Sequence, residues 1–160
     1  MRGSEAMTDV FTKAKRSAVM ARIRSRGNKG TELALVRVFR ARGISGWRRH
    51  IQIRNAECGM RDFKVRPDFV FPKLRLAVLV DGCFWHGCPR HATQPKGNAA
   101  FWRRKFAANR ARDRLVTRAL RRAGWRVLRI WEHELARKRE VRLAKRLERA
   151  GLAAGAEQKR

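Results

Sequence analysis

One run of twelve residues, Val80-Asp81-Gly82-Cys83-Phe84-Trp85-His86-Gly87-Cys88-Pro89-Arg90-His91, constrains this chain more than any other stretch. It follows directly on Leu76-Ala77-Val78-Leu79, and the near-continuous apolar segment Leu76 to Val80 reads as a central β-strand buried on both faces. The loop after it holds two cysteines, two histidines and two adjacent aromatics. Cys83, Cys88 and His91 have the spacing C-x4-C-x2-H. Zinc takes sulfur and nitrogen donors that short loops of this kind bring together. A fourth donor has to come from elsewhere. His133, in Trp131-Glu132-His133-Glu134, suits best, with His50 and Cys58 as alternatives, while His86 competes with Cys88 and His91 inside the loop. A closed Cys2His2 set is a structural site with no open position for substrate. Three cysteines is an odd number, and the first residues lack a signal-peptide core, so disulfides are not expected.

The strand has a partner upstream. Pro67-Asp68-Phe69-Val70-Phe71 begins a second strand, and Pro72-Lys73-Leu74-Arg75 turns the chain back. In an antiparallel hairpin the start of one strand lies beside the end of the next, which brings Asp68 to Leu79–Asp81. Read singly, Asp68 is a turn-forming residue after proline and Asp81 is a strand end before Gly82. Together they make an oxygen-rich pair suited to magnesium. Upstream again, Thr31 can cap a helix running to about Ala41 and ended by Gly43. Its apolar face carries Leu35, Val36 and Phe39, and Glu32 falls on that same face. A glutamate in the first turn suits the helix dipole, but an acid on an apolar face also suits an active site.

The other elements are coarser. Trp47, Ile51 and Ile53 suggest a short strand with Arg48, Arg49 and Arg54 on its other face. His50 reads as structural or exposed, Cys58 as a free thiol, and Cys58 to Lys64 as a loop. Phe101 to Ala123 reads as a long helix closed by Gly124. Its stripe of Trp102, Phe106, Val116 and Leu120 is interrupted by Asn109 and Asp113, which either pair internally or face DNA. Phe101 and Phe106 read as core aromatics. Trp125 to Trp131 is another strand, and Leu135 to Ala150 an amphipathic helix with Leu143, Leu147 and Ala150 inward. No internal repeat is present.

Charge narrows the partners. Lys and Arg number 41 against 13 Asp and Glu, a net charge of +28. Such a chain attracts polyanions, and counterion release drives it onto nucleic acid. The basic residues are spread along the chain and mixed with Trp and Phe, unlike a juxtamembrane cluster, and no apolar run approaches the ~18 residues of a membrane span. Residues 1–10 read as a tail, 11–150 as a single domain and 151–160 as a second tail. Residues 13–24 read as a short basic helix, either a DNA-clamping arm or a solvated helix. The expected setting is intracellular: cytoplasmic and nucleoid-associated.

Gly82-Cys83-Phe84-Trp85-His86 resembles the signature of the very short patch repair endonucleases, DNA mismatch endonucleases that nick beside T·G mismatches. The resemblance continues through Arg66-Pro67-Asp68-Phe69, Phe101-Trp102, Asn109 to Asp113, and Gly124-Trp125-Arg126-Val127 to Trp131-Glu132, covering roughly residues 8–135. It implies an α/β, restriction-endonuclease-like fold of the PD-(D/E)xK kind, with a mixed central sheet flanked by helices and a structural zinc site. It implies magnesium-dependent hydrolysis of one DNA strand, 5′ to a thymine mispaired after 5-methylcytosine deamination.

The resemblance also implies roles. Asp68 and the main-chain carbonyl of Val80 would hold magnesium. Asp81 and His86 would position waters and handle protons, and Glu32 would orient His86 or a water. Phe84, Trp85 and Trp102 would insert beside the mismatch, with Asn109 also on DNA. Mismatch-repair proteins and a cytosine methyltransferase are the implied partners of a monomer. Two departures from the better-known family pattern stand out. Asp81 occupies a place where a histidine often precedes the Gly-Cys-Phe-Trp-His run, and the zinc donors are Cys-x4-Cys-x2-His with His133 where Cys-x4-His and further cysteines are common. The competing readings are a non-catalytic, zinc-stabilised DNA-binding protein and a basic RNA-binding protein. Convergence of Glu32, Asp68, Asp81 and His86 within metal-binding reach would discriminate against both.

Overall fold

The computed structural model describes residues 28–54, 64–91, 93, 95 and 97–153. The N-terminal tail, the basic helix expected at 13–24, Cys58 and most of the C-terminal tail lie outside the described residues.

Four strands form a mixed sheet in the order β1 (Arg48–Arg49), β4 (Phe69–Phe71), β5 (Leu76–Asp81), β6 (Arg126–Trp131). The expected hairpin is present. β4 and β5 are antiparallel, with Phe69 opposite Val78 and Phe71 opposite Leu76. On its other edge β5 pairs in parallel with β6, from Leu76–Arg126 to Asp81–Trp131. A parallel pair needs a long crossover, and helix α2 (Ala99–Arg122) lies within it. The single strand expected around residues 47–53 is instead two short pieces. β1 joins the main sheet, while β2 (Ile53–Arg54) pairs with β3 (Lys64–Val65) in a separate ladder. Between them His50 has φ 53°, a left-handed conformation that turns the chain out of one ladder and toward the next.

Alternation along β5 sorts the core into two layers. Leu76 and Val78 join Phe69, Phe71 and Ile130 beneath helices α1 (Glu32–Ala41) and α3 (Glu140–Arg149), against Leu35, Phe39, Leu143 and Leu147. Ala77 belongs to the opposite face, with Leu120 of α2, Val65 and partly buried Leu79, Val116 and Val127. The helices therefore cover both faces of the sheet, the α/β arrangement expected. Its central strand is buried by them, which is why its apolar run is continuous.

Helix ends differ from expectation in detail. Thr31 precedes α1 but makes no side-chain cap. Asn28 does that work: its carbonyl accepts the Thr31 and Leu33 amides, and its side-chain oxygen accepts the Gly30 amide at 2.9 Å. The C-terminal helix begins at Glu140, later than expected, because Glu132–Leu135 and Arg137–Arg139 form tighter 3-10 turns. Glu134 holds the first of these turns by accepting the Trp131 amide at 2.9 Å and pairing with Arg146. Phe106 is buried as expected, whereas Phe101 is 45% exposed. Phe101 and Phe106 are five residues apart, too far out of phase on a helix to share one buried face.

Phe39 is fully buried and meets Phe69 and Phe71 edge-on at 5.3 and 5.6 Å between ring centres. Phe39→Ala is expected to lower stability by ~3–5 kcal/mol in chemical denaturation, the usual result of emptying a large core site.

Candidate active site and metal centre

The same alternation places the acids. Asp68 precedes β4 in the phase of Val70, and Asp81 ends β5 in the phase of Leu79, so both belong to the α2 face. Asp68 Oδ2 accepts the Val80 amide at 2.7 Å. This is the meeting of Asp68 with the end of β5 that the hairpin predicts. An open cleft of about 620 Å³ lies over these residues, lined by Glu32, Asp68, Val80, Asp81, Trp85, His86, Asn109, Asp113 and Arg129 among others. The four expected catalytic side chains, Glu32, Asp68, Asp81 and His86, thus line one cleft, but they do not all converge within metal-binding reach. Among the described residues the possible donors that cluster there are Asp81, His86 and Asp113, without Asp68 or Glu32.

Their environments differ. Glu32, 4% exposed, binds Arg49 at 2.6 Å and His50 Nε2 at 3.0 Å. His50 is therefore a partner of an acid in the cleft, and the amide of the same residue donates to the Asp68 carbonyl at 3.4 Å. Asp81, also 4% exposed, is gripped by Arg129, whose Nε and Nη2 reach its two oxygens at 2.7 and 2.5 Å. Asp68 has no cationic side chain within ion-pair distance among the described residues. Burial raises its carboxyl from 3.8 to about 6. The Val80 hydrogen bond opposes that rise, the charges of Glu32 and Asp81 add to it, and His86 opposes it.

His86 is oriented by Asp113, whose Oδ2 lies 2.7 Å from Nδ1, and not by the expected Glu32. Burial disfavours its protonation, but the Asp113 hydrogen bond and the charges of Asp81 and Asp113 outweigh that, and its pKa moves upward. Asp113 is itself lowered: burial opposes its charge, and His86 and Arg129 more than compensate. Asn109 donates its side-chain amide to the Trp85 carbonyl at 2.7 Å. Asn109 and Asp113 thus make internal pairs, and both also line the cleft.

The aromatics gather beside the cleft. Phe84 meets Trp85, Trp102 and Phe106 edge-on at 5.1, 5.2 and 5.4 Å. Trp102 and Phe106 are buried, and Phe84 and Trp85 are half-buried.

Behind this cleft the four expected metal donors converge. Suitable ligand atoms of Cys83, Cys88, His91 and His133 all lie within 4.8 Å of one another. Cys83 Sγ is 3.2 Å from His133 Nδ1, and Cys88 Sγ is 3.6 and 3.7 Å from Nδ1 of His133 and His91. Sulfur and nitrogen ligands on one tetrahedral zinc stand about 3.6 Å apart, so the set fits such an ion. His133 is the fourth donor in this cluster; His50 and His86 pair with acids elsewhere, and Cys58 lies outside the described residues. Burial, with Cys88 alongside, pushes the Cys83 thiol up to about 11, and a coordinated cation is what would strip its proton. Gly87 makes the tight loop. Its φ of 62° is left-handed, and the Cys88 amide closes back on the Cys83 carbonyl at 2.9 Å.

Sequence reasoning missed Arg129. The signal was present: an arginine between Leu128 and Ile130, inside a strand and in phase with Val127. A charged residue on a buried strand face needs a buried counter-charge.

A model of the family described as DNA mismatch endonuclease Vsr matches residues 8–92. The type II nicking enzyme V.XorIIP of Xanthomonas oryzae pv. oryzae is 37% identical over 132 residues, 81% of this chain and 88% of that protein. The chain belongs to the Vsr family. The DNA mismatch endonuclease Vsr of Escherichia coli is 32% identical over 127 residues, 79% of this chain and 74% of that protein. The type II nicking enzyme V.NaeI of Lentzea aerocolonigenes is 55% identical over 71 residues, but these make up only 44% of this chain and 43% of that protein. As a Vsr-family member the chain is a DNA endonuclease, which sets aside both the non-catalytic and the RNA-binding readings. Among the described residues, no helix is long and apolar enough to cross a membrane.

Two outcomes follow from the geometry. The purified protein should carry one tightly held zinc per chain by elemental analysis, with His133→Ala lowering both zinc content and melting temperature. Asp68 should oppose folding at neutral pH. Its pKa is raised in the folded state, so the fold binds the extra proton, and stability from this group is present near pH 4, declines toward pH 6 and is absent above. In chelator that removes magnesium but leaves the zinc in place, Asp68→Asn is expected to stabilise the protein at pH 8 by ~1–3 kcal/mol and to flatten that pH dependence.

Proposed function

We propose that this endonuclease nicks one strand of duplex DNA 5′ to the thymine of a T·G mismatch, with Asp68 as its magnesium carboxylate. The observation that carries the reading is Asp68 itself: a half-buried acid, fixed by the Val80 amide, lining a cleft in a chain of net charge +28 and lacking a cationic partner among the described residues. A carboxyl whose pKa is raised by burial beside an open cleft is a candidate functional group. Magnesium, when bound, supplies positive charge to the scissile phosphate and to the leaving oxygen. Asp68 and the Val80 carbonyl are the groups proposed to hold it.

The other residues position and protonate. Asp113 occupies Nδ1 of His86, so Nε2 is the nitrogen left to hold or pass a proton at the reacting phosphate. Arg49 and His50 hold Glu32 in place in the same cleft as Asp68. Arg103, Arg104, Arg110, Arg112 and Arg114 are exposed along α2 and suit phosphate contacts, which set register without reading bases. Trp85 lines the cleft, and with Phe84 it forms the half-buried edge of the aromatic cluster. These two rings, followed by Trp102, are the proposed wedge: a mispaired step costs less to unstack, so insertion selects it. Mismatch recognition by this chain rests on the name of its Escherichia coli relative. The link to 5-methylcytosine deamination, a cytosine methyltransferase and mismatch-repair proteins belongs to the same proposal.

The test is strand cleavage of a T·G duplex against its matched control, with magnesium or EDTA, using wild type and Asp68→Ala. The expected product is a single nick on the thymine strand, lost with EDTA and reduced at least a thousandfold in Asp68→Ala. Equal nicking of matched and mismatched duplex would remove the mismatch assignment. Full activity in Asp68→Ala would remove the metal assignment. At sub-saturating magnesium the wild-type rate should fall as pH drops below about 6, because the proton competes with magnesium for Asp68, and higher magnesium should shift that fall to lower pH.

A further inference from the structure

Asp81, His86 and Asp113 present ligand atoms within 4.8 Å of one another, a carboxylate-rich set that would suit a divalent cation. Arg129 stands among them. Its Nε and Nη2 hold Asp81 at 2.7 and 2.5 Å, and Nη2 also reaches Asp113 Oδ1 at 2.9 Å. Its Nη1 donates to the Asp113 carbonyl and to Thr117 Oγ1, each at 3.2 Å. All three nitrogens of the guanidinium are therefore engaged, two of them in the bidentate geometry that makes arginine–carboxylate pairs strong. The parallel register explains how it arrives. Leu79 lies opposite Arg129 and Asp81 opposite Trp131, so Arg129 points to the α2 face one step from Asp81, directly beneath Asp113.

A divalent ion between these two carboxylates would press against a fixed positive charge, and would have to displace it. Asp113 uses Oδ1 for Arg129 and Oδ2 for His86, so the same contact that fills the site also sets the imidazole. We infer that Arg129 is a positioning residue that takes the cation place of the Asp81–Asp113–His86 cluster, confining divalent-metal binding in the cleft to Asp68 and holding Asp113 against His86. This deepens the proposed nuclease chemistry and rests on it for the role of Asp68; the occupancy of the Arg129 cluster can be measured without any cleavage.

The experiment counts Mn2+ bound to zinc-loaded protein by electron paramagnetic resonance, in the absence of DNA. Arg129→Met should bind one more Mn2+ per chain than wild type, and Arg129→Lys, which keeps the charge, should match wild type. Adding Asp113→Asn to Arg129→Met should abolish the extra ion. In wild type, Asp113→Asn alone should leave the count unchanged. An unchanged count in folded Arg129→Met, or a count that falls in the Asp113→Asn single variant, would overturn the inference. If Arg129→Met does not fold, the Asp113→Asn comparison still decides it. A wild-type count insensitive to Asp68→Asn would instead count against the magnesium assignment, and leaves the Arg129 comparison readable.

Discussion

Everything at this site depends on the pairing of β5 along both of its edges. The antiparallel edge brings Asp68 to the Val80 amide, and the parallel edge brings Arg129 alongside Asp81. A slip of one residue on either side would turn the facing side chain to the other layer, because strand side chains alternate with a period of two. The apolar filling above and below, Phe39, Phe69, Phe71 and Val78 on one face and Ala77 with Leu120 on the other, holds that register. The core is therefore the aligning device of the chemistry.

Within that frame the acids are handled unequally. Glu32 and Asp81 are each met by an arginine, and Asp113 shares the second of these with Asp81. A chain with so many arginines neutralises a buried carboxylate readily. Asp68 is the exception among these four: among the described residues it is held by a main-chain amide alone, and it is raised to about 6. The contrast sorts the cleft: three of its acids are paired with cationic side chains, and Asp68 is the one whose carboxyl is raised. A departure from the better-known family pattern, Asp81 in place of a histidine, has its physical partner in Arg129.

Much of this was legible because it is local or periodic. The hairpin around Pro72–Arg75, the apolar run of β5, the stripe of α1 with Glu32 on it, and the Cys-x4-Cys-x2-His loop each declare themselves within a few residues. So did the convergence of His133, once the other histidines were weighed. What escaped was non-local and side-chain specific. Arg129 meets Asp81 across 48 positions, and only the parallel register of β5 and β6 makes them neighbours. His50 reads as structural or exposed in the sequence, but its partner Glu32 is not legible there, because their link depends on a left-handed turn between two short ladders. Phe101 and Phe106 looked alike by composition, and helical phase separated them. The late start of α3 reflects Glu134 reaching back to the Trp131 amide, a contact that competes with helix propagation.

The Cys2His2 clip joins chain positions that are far apart. Cys83 follows β5 and His133 follows β6, fifty residues later, with the whole of α2 in between. A metal bridging them closes a long loop and acts on the unfolded chain as a cross-link would, removing much of its freedom to explore extended conformations. The loop so closed carries Trp85, His86, Asn109 and Asp113. Loss of a metal held there would thus loosen the aromatic edge and the imidazole together, although none of the four donors lines the cleft.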